Sequence, residues 1–535
     1  MSTGGDRKTQ TDRDHKQWTT AATYFSDNRL HGGHTLKFGG EMNLETAWTG
    51  FERTRAGNVE QIFTNGRATQ VVLGFPTADG ELGHKSSRDH LLSVARLDQF
   101  SGFLADQWSF SHTLTINAGV RFDHYHSYVP EQRQLAYTNG PIALPAQTFI
   151  EQSFFRWNSL VPRVGVVYAF DDRATTVAKF SYGYFRHNPS FDIATAANPN
   201  QGLKTITYGW TDRNNDRTYQ PGEESTVVSS NLAGAVAFDP TTRQAHSHEI
   251  STFLERRLAA DMSMRVGVVY KTNGDLWQSY RPFRPASGYT TPFTTHDVGG
   301  DGLNGTGDDR DLTFYGTPNA QLGAATTVIQ NVPAFGRYTS VEASAERRLR
   351  RNWSLGAGFT HTWIHEHNSN YIGNSVTPSS SPGYPNSPNE GLYANGRDGA
   401  NRFTLSDVKA YGVWEAPLGI RVTPVFRAQA GQPYGRVLQV TAPATCACFF
   451  SGAVLVEPLD ARRMDNVRVF DLRTEKAVPF GARGVRYGAR LFVDVFNLFN
   501  SGAADVISFS TGPAFALPTN IIAPRLARIG VRLTW

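Results

Sequence analysis

Residues 487–535 decide the fold: YGARLFVDVFNLFN (Tyr487–Asn500), a loop, then PRLARIGVRLTW (Pro524–Trp535) at the terminus. In the final stretch Ala527, Ile529, Val531, Leu533 and Trp535 share one parity, and Arg528, Gly530, Arg532 and Thr534 the other. A strand sends successive side chains to opposite faces, so one face is apolar and the other charged. A soluble sandwich also alternates, but it seldom finishes on a fully apolar parity with an aromatic carboxyl-terminal residue. A barrel in lipid puts its apolar side chains outward and its polar ones into a lumen. The same alternation recurs upstream and reads as an all-β fold, an antiparallel transmembrane β-barrel of an outer membrane.

Composition fits that reading. The chain has 535 residues, 39% of them hydrophobic, with a mean hydropathy of −0.39. No apolar run approaches the roughly 18 to 20 residues that a spanning helix needs, whereas barrel strands need only about 9 to 11 alternating ones. The 34 Phe and 20 Tyr suit interfacial girdles. A net charge of +5, spread along the strands, argues against nucleic acid as a partner, while the barrel reading makes outer-membrane lipid one. Two cysteines, Cys446 and Cys448, exclude a disulfide framework and a cysteine zinc site, and a bridge at that spacing is expected to be strained.

Strand-like stretches come in pairs. Trp18–Phe25 precedes Thr35–Leu44, with a small hairpin expected around Val59–Leu73. Leu92–Trp108 and Thr113–Tyr125 follow, then Val161–Phe170 and Thr175–Phe185, His246–Leu258 and Met262–Lys271, Arg337–Leu349 and Trp353–His365. After a Ser/Pro/Asn/Gly tract from Asn368 to Gly399 come Phe403–Glu415 and Arg421–Ala430, then Val467–Val478 and the opening stretch. Connections alternate strictly between a few residues and about thirty to sixty, the sidedness of short periplasmic turns and long extracellular loops. The loops after Tyr125, Phe185, Lys271, His365, Ala430 and Phe499 are therefore expected outside. Residues 1–16 are expected to be a disordered polar start, and residues 17–535 an outer-membrane β-barrel domain incomplete at its amino-terminal side. No apolar signal-peptide segment occurs in Met1–Lys16, so the natural beginning is expected to be missing.

Several segments together resemble a known family: Gln107–Asp123, Arg337–Glu342, Ala430–Tyr434, Asp471–Lys476, Asp494–Asn500 and Pro524–Arg532. In order and spacing they are similar to the barrel of TonB-dependent receptors, nearest to the Oar-like group, whose full members carry an amino-terminal carboxypeptidase-regulatory-like domain. The resemblance runs from about residue 17 to Trp535. It implies a receptor or transporter that binds an external ligand and passes it to the periplasm with energy relayed by TonB. Family members begin with a signal peptide, a TonB box and a plug inside a barrel of 22 strands, and none of those parts is recognisable here. Contact with TonB would run only through an upstream plug. About 15 to 16 strands are present, so roughly seven are expected to precede Trp18, leaving an unpaired seam between the Trp18 and Arg525 strands and a lumen without a plug. The alternative is a surface-binding or adhesive barrel without active transport.

Two acidic loops are candidate metal sites. Asp212, Asn214, Asp216, Thr218, Gln220 and Glu223 occupy positions 1, 3, 5, 7, 9 and 12 of an EF-hand-like calcium loop, although position 6, normally Gly, is Arg217. The bland reading is a solvated turn. Asp297–Asp309 is Gly-rich with spaced carboxylates, or else a flexible external loop. His361, His365 and His367 share a parity with Trp363, which suits an interfacial girdle better than a transition-metal site; His124 with His126, and His246 with His248, read the same way. No nucleophile elbow, zinc-protease motif, P-loop or dinucleotide fingerprint occurs, and inward pairs such as Arg121 with Asp123, or Arg473 with Asp471 and Glu475, read as cross-strand ion pairs. No catalytic residue is assigned and no cofactor is required; calcium in an external loop stands as the alternative to a solvated turn.

Overall fold

The computed structural model describes residues 2–4, 7–27, 31–53, 58–75, 78–81, 92–200, 204–230, 236–280, 282, 284–321, 327–332, 335–367, 387–393, 400–459, 461–482 and 485–534. Trp535 and most of the tract from Asn368 to Gly399 lie outside them.

One fifteen-stranded antiparallel sheet forms the wall, with every strand beside its sequence neighbour. Its strands are β1 (Arg7–Ser26), β2 (Gly33–Arg53), β3 (Leu92–Ser109), β4 (Leu114–Val129) and β5 (Gln152–Ala169). Then come β6 (Thr176–Arg186), β7 (His246–Ala259), β8 (Met262–Gly274), β9 (Phe335–Arg350) and β10 (Trp353–His367). The last five are β11 (Ala400–Ala416), β12 (Ile420–Gln429), β13 (Val467–Ala482), β14 (Val485–Phe496) and β15 (Leu526–Thr534). Among the described residues no pairing joins β1 to β15, and an odd count makes the two run the same way.

The expected two-faced pattern continues round the wall. Register places Phe38 beside Leu104, Leu104 beside Val120, Leu254 beside Val266, Val266 beside Ala343 and Ala343 beside Phe359. The larger of these are exposed on one side, with Phe38 at 49% and Leu254 at 49%. Such a continuous apolar surface is untenable in water and fits lipid, since each buried Å² of it is worth about 25 cal/mol. Between Trp353 and Trp363 on β10 lie ten residue steps, about 34 Å along the strand and about 26 Å in height at a 40° tilt, which matches an apolar band of about 25 Å.

Short turns close one end of the sheet. Asp171 organises the β5–β6 turn by accepting hydrogen bonds from the Arg173, Thr175 and Thr176 amides and the Thr175 hydroxyl. Arg351 and Asn352, both at positive φ, make the two-residue β9–β10 turn.

One expectation is corrected. The first strand begins at Arg7, not after residue 16, and pairs with β2 from Arg7↔Arg53 to Ser26↔His34. Its polar side chains gave no apolar periodicity, but a ladder needs only backbone groups, and β2 supplies them along its length. Cys446 and Cys448 form a disulfide across a Cα–Cα distance of 5.0 Å, just after the turn in which the Cys446 amide donates to the Pro443 carbonyl at 2.9 Å.

Candidate functional site: a polar lumen beneath a folded external cap

The other face of the wall is charged and paired. On β2 to β4, Arg121 donates to Asp123 (Nε–Oδ1 2.7 Å), Glu41 (Nη2–Oε2 3.2 Å) and the Ser101 hydroxyl (2.7 Å). Glu41 also accepts from Gln17 and Asn43 at 2.8 and 2.9 Å. Glu41, Asn43, Arg121 and Asp123, with Gln99, Arg163 and Tyr184, line a cavity of about 300 Å³. At the far end of the sheet Arg473 meets Glu475 (2.5 Å) and Asp494 (3.3 Å), and Asp494 also takes Arg528 (2.6 Å). Asp471 instead accepts the Asn497 amide at 2.7 Å and lies 3.9 Å from Arg427. Partly exposed pairs of this kind add at most about 1 kcal/mol each. What they provide is a wettable inner surface on which many of the charges are paired across strands.

Above the wall the long loops fold. Ser2–Gly4, Val59–Thr64, Arg67–Phe75, Lys204–Trp210 and Glu224–Ser230 make a five-stranded sheet. The hairpin expected near Val59–Leu73 is its centre, turning at Asn65-Gly66, both at positive φ. Val71, Leu73, Phe75, Ile206, Tyr208 and Trp210 bury its core. A second unit packs the hairpin Thr291–Asp297/Arg310–Pro318 on Val437–Thr441/Ser451–Leu455 around Phe314, Val440, Phe450 and Val454. Its polar centre is Arg436, 3% exposed at its side chain. Arg436 donates two hydrogen bonds to the fully buried Asp297, and others to Glu457 (3.2 Å), Thr511 (3.0 Å) and the Gly299 carbonyl (3.3 Å). Burial pushes the Asp297 carboxyl up, but Arg436 and then Arg310 outweigh it and hold the group below its ordinary value.

The Asp212–Glu223 loop curls as its spacing suggests. Asp212 Oδ2 accepts the Arg217 amide (2.8 Å), Asn214 Oδ1 the Asp216 amide (3.1 Å), and Asp216 Oδ1 the Thr218 amide (2.8 Å). Gln220 donates to Asp216 at 2.6 Å. Arg217, at the position normally held by Gly, takes φ 61°. Glu223 spans the base of this loop: its oxygens accept from the Trp210 indole (3.0 Å) and from the loop's own Arg213 and Gln220 amides, and that hydrogen bonding, the indole first, keeps its carboxyl low. In the other acidic loop Asp301, Asp308 and Asp309 hold ligand-type oxygens within 4.8 Å of one another. His296 sits beside them, bonded to Asp311 (2.8 Å) and Asn304 (3.0 Å), which raise its pKa, Asp311 most, with Asp309 adding to the effect.

A sequence model of the family described as "Outer membrane beta barrel domain" matches residues 1–431. The chain belongs to that family. It is an outer-membrane protein, as the two-faced wall requires. No curated protein matches it. Among solved structures it is similar to the outer membrane transporter YddB from Escherichia coli, at 13% identity and TM-score 0.53, over 98% of this chain and 54% of that one. It is also similar to the pyoverdine receptor FpvA from Pseudomonas aeruginosa (12%, TM-score 0.47, 99% and 54%) and to the copper transporter OprC (12%, 0.47, 98% and 57%). The chain thus spans about half the length of these structures, and at such identities the likeness concerns the fold.

In this outer-membrane barrel the histidines of β10 fall on the outward face. His361 bonds Ser406 at 2.7 Å and stands edge-on to Trp363, while His365 stands edge-on to Phe335, so they join an aromatic girdle. The His367 side chain lies outside the described residues. Arg436 and Glu457 were not singled out in the sequence. Arg436 is 139 residues from Asp297, and nothing local to either marks the pair.

Proposed function

We propose that this outer-membrane barrel belongs to a TonB-dependent receptor, which captures an external ligand at the cap and passes it along the polar lumen toward the periplasm. The observation that supports it most is the combination of a polar inner face carrying cross-strand ion pairs with external loops built into packed β-units over one end. A barrel that merely anchored an adhesin would need neither a wettable lumen nor a cap joined to it. YddB, whose fold this wall shares, is an outer membrane transporter. In this reading the chain binds and conducts rather than catalyses, energy from TonB arrives through a plug domain, and a calcium ion stiffens the external loop at Asp212, Asn214, Asp216 and Thr218, with Glu223 bracing it from behind. Asp212 Oδ1 favours the ion, being shielded from solvent and without a hydrogen-bond partner.

The test uses cells carrying the natural gene and cells in which residues 291–318 are deleted from it. Small molecules lost from the growth medium are compared with and without a protonophore. Transport predicts compounds whose loss requires both the cap hairpin and an energised membrane. Loss indifferent to both, with surface attachment changed instead, would favour the adhesive alternative.

A further inference from the structure

Inside the barrel, toward the end of the wall that carries the long loops, the cavity of about 300 Å³ around Arg121 has two ends of opposite charge. At one end Glu41 and Asp123 share the single guanidinium of Arg121, and the other partners of Glu41, Gln17 and Asn43, are neutral amides. That end therefore carries one carboxylate in excess. The Asp123 side chain is only 9% exposed; its Oδ1 accepts from Arg121 Nε, while among the described residues its Oδ2 has no hydrogen-bond partner. At the other end Arg163 makes no ion pair among the described residues, and its guanidinium lies over the Phe185 ring, 4.8 Å from the centroid. The ring in turn lies against Gly183, where an added Cβ would stand 2.6 Å from it. Arg186, at the edge of the cavity, is committed elsewhere, donating to the Gln244 carbonyl at 2.6 Å and lying 4.0 Å from Asp275.

Spacing and charge define what fits. Gly183 is the register partner of Arg163, and Phe185 stands two residues nearer the long loops, so the guanidinium is drawn up the wall by about 7 Å. Asp123 is the register partner of Ser159, four residues above Arg163 on β5. About 7 Å of height thus remains between the charged ends, and two strand spacings, about 10 Å, separate β4 from β6. The diagonal of about 12 Å is spanned by an extended chain of about three residues with a hydrogen bond at either end. Between the ends the amides of Asn43, Gln99 and Asn188 line the cavity and offer the donors and acceptors that a peptide backbone needs. An inorganic anion would satisfy Arg163 alone and a metal cation Asp123 alone, whereas an uncharged sugar would leave both excess charges unmatched. The cavity continues into a groove of about 860 Å³ that shares Arg121 and Arg163 with it and descends past Gly119 and Gly165 to Asn117 and Lys37.

We propose that this cavity binds a short peptide by its two free termini, the α-ammonium on Asp123 Oδ2 and the α-carboxylate on the Arg163 guanidinium. In the receptor reading given above, on which this rests, such peptides are the class of ligand that the lumen takes. Phe185 and Gly183 act as positioning residues, since they hold the Arg163 head at the height the carboxylate requires.

Calorimetry of the full chain in detergent with trialanine, N-acetyl-trialanine and trialanine amide tests this. Trialanine should bind, and capping either terminus should weaken it about tenfold or more, because a charge-assisted hydrogen bond is lost and a charged group is left unmatched. Asp123→Asn should lower trialanine to the level of its acetylated form and keep the preference for a free carboxylate; Arg163→Gln should do the converse, and Arg163→Lys should keep both preferences. The capped peptides probe the parent protein, so they decide the matter even if a variant fails to fold. Equal affinity for all three peptides, tighter binding of the neutral trisaccharide maltotriose than of trialanine, or no heat with trialanine would overturn the proposal. Energised loss of compounds from the medium together with no tripeptide binding would refute this site and leave the receptor reading standing, and tripeptide binding without any energised loss would do the reverse.

Discussion

Ala343 and Ser344 are adjacent on β9, so they sit at one depth and differ only in face. Ala343 points outward between Val266 and Phe359, and Phe359 lies six residues from Trp353 and four from Trp363. That places Ala343 about 10 Å below the upper aromatic row and about 15 Å above the lower one, close to mid-bilayer. Arginine there cannot reach either interface without bending its stem along the strand, and Ala343→Arg should cost about 2 to 4 kcal/mol. Ser344 points inward, with Glu342 and Glu346 two residues to either side on the same face and Arg265 opposite. An arginine at 344 gains two carboxylates against one guanidinium, so Ser344→Arg should change stability by less than about 1 kcal/mol. Thr339→Arg, level with Trp363, should cost at most about 1 kcal/mol because the charge reaches headgroups. Denaturant titrations of protein folded into lipid vesicles, followed by tryptophan fluorescence, measure all three. Equal costs at 343 and 344, or a cost at 339 as large as at 343, would refute the assignment of faces and of the membrane band.

The remaining predictions concern the cap. Arg436→Met leaves Asp297 buried with Arg310 as its ion-pair partner, and breaking a buried pair in this way costs about 3 to 5 kcal/mol; hydrogen exchange should show the amides of 291–297 and 437–441 opening while β9 and β10 stay protected, and unchanged exchange would disprove the clamp. His296 is held above its usual pKa of 6.5, so its contribution to loop order is complete below that pH and fades as pH rises through the higher folded value. Its imidazole NMR titration should have a midpoint above 6.5 that falls in Asp311→Asn, and a midpoint at or below 6.5 in the parent would contradict the bonding described. Calorimetry with calcium should give a heat that vanishes in Asp212→Ala with Asp216→Ala. A heat that survives there but disappears in Asp301→Asn with Asp308→Asn would move the ion to the second loop, and no heat from the parent would return both loops to solvated turns.

What could be read from the sequence was whatever repeats locally. Parity on β15 and β9, and the alternation of short and long connections, placed most wall strands to within a few residues because one lipid-facing and one wet face leave a period of two, although the end of β2 beyond Leu44 and the start of β5 before Val161 were each missed by nine residues. β1 was cut short because Arg7–Lys16 carry no apolar parity, though the backbone of β2 pairs with them regardless. Apart from the Val59–Leu73 hairpin, the cap was missed for a different reason. Its strands pair across loops that are distant in sequence, Ser2–Gly4 with Val59–Thr64 and Arg67–Phe75 with Lys204–Trp210, and pairing of that kind leaves no periodic trace. Of the candidate metal residues, the curl at Asp212–Thr218 was legible in its spacing, while the turning of Glu223 toward Trp210 depended on a hydrogen bond that spacing does not encode.

The five-stranded external sheet also carries a timing. Phe75 and Lys204 are neighbours in it although about 130 residues separate them, and closing so long a stretch of free chain costs entropy that grows with its length. Strands β3 to β6 lie between these two positions, and each pairs with the next through a short turn or a loop of its own. Once they are zipped, the two segments hang side by side from a shared rim and the closure is nearly free. The closure cost thus favours assembly from hairpins to wall to roof, and protection of the Val71 and Ile206 amides that follows protection of the wall would serve as a clock for completed insertion.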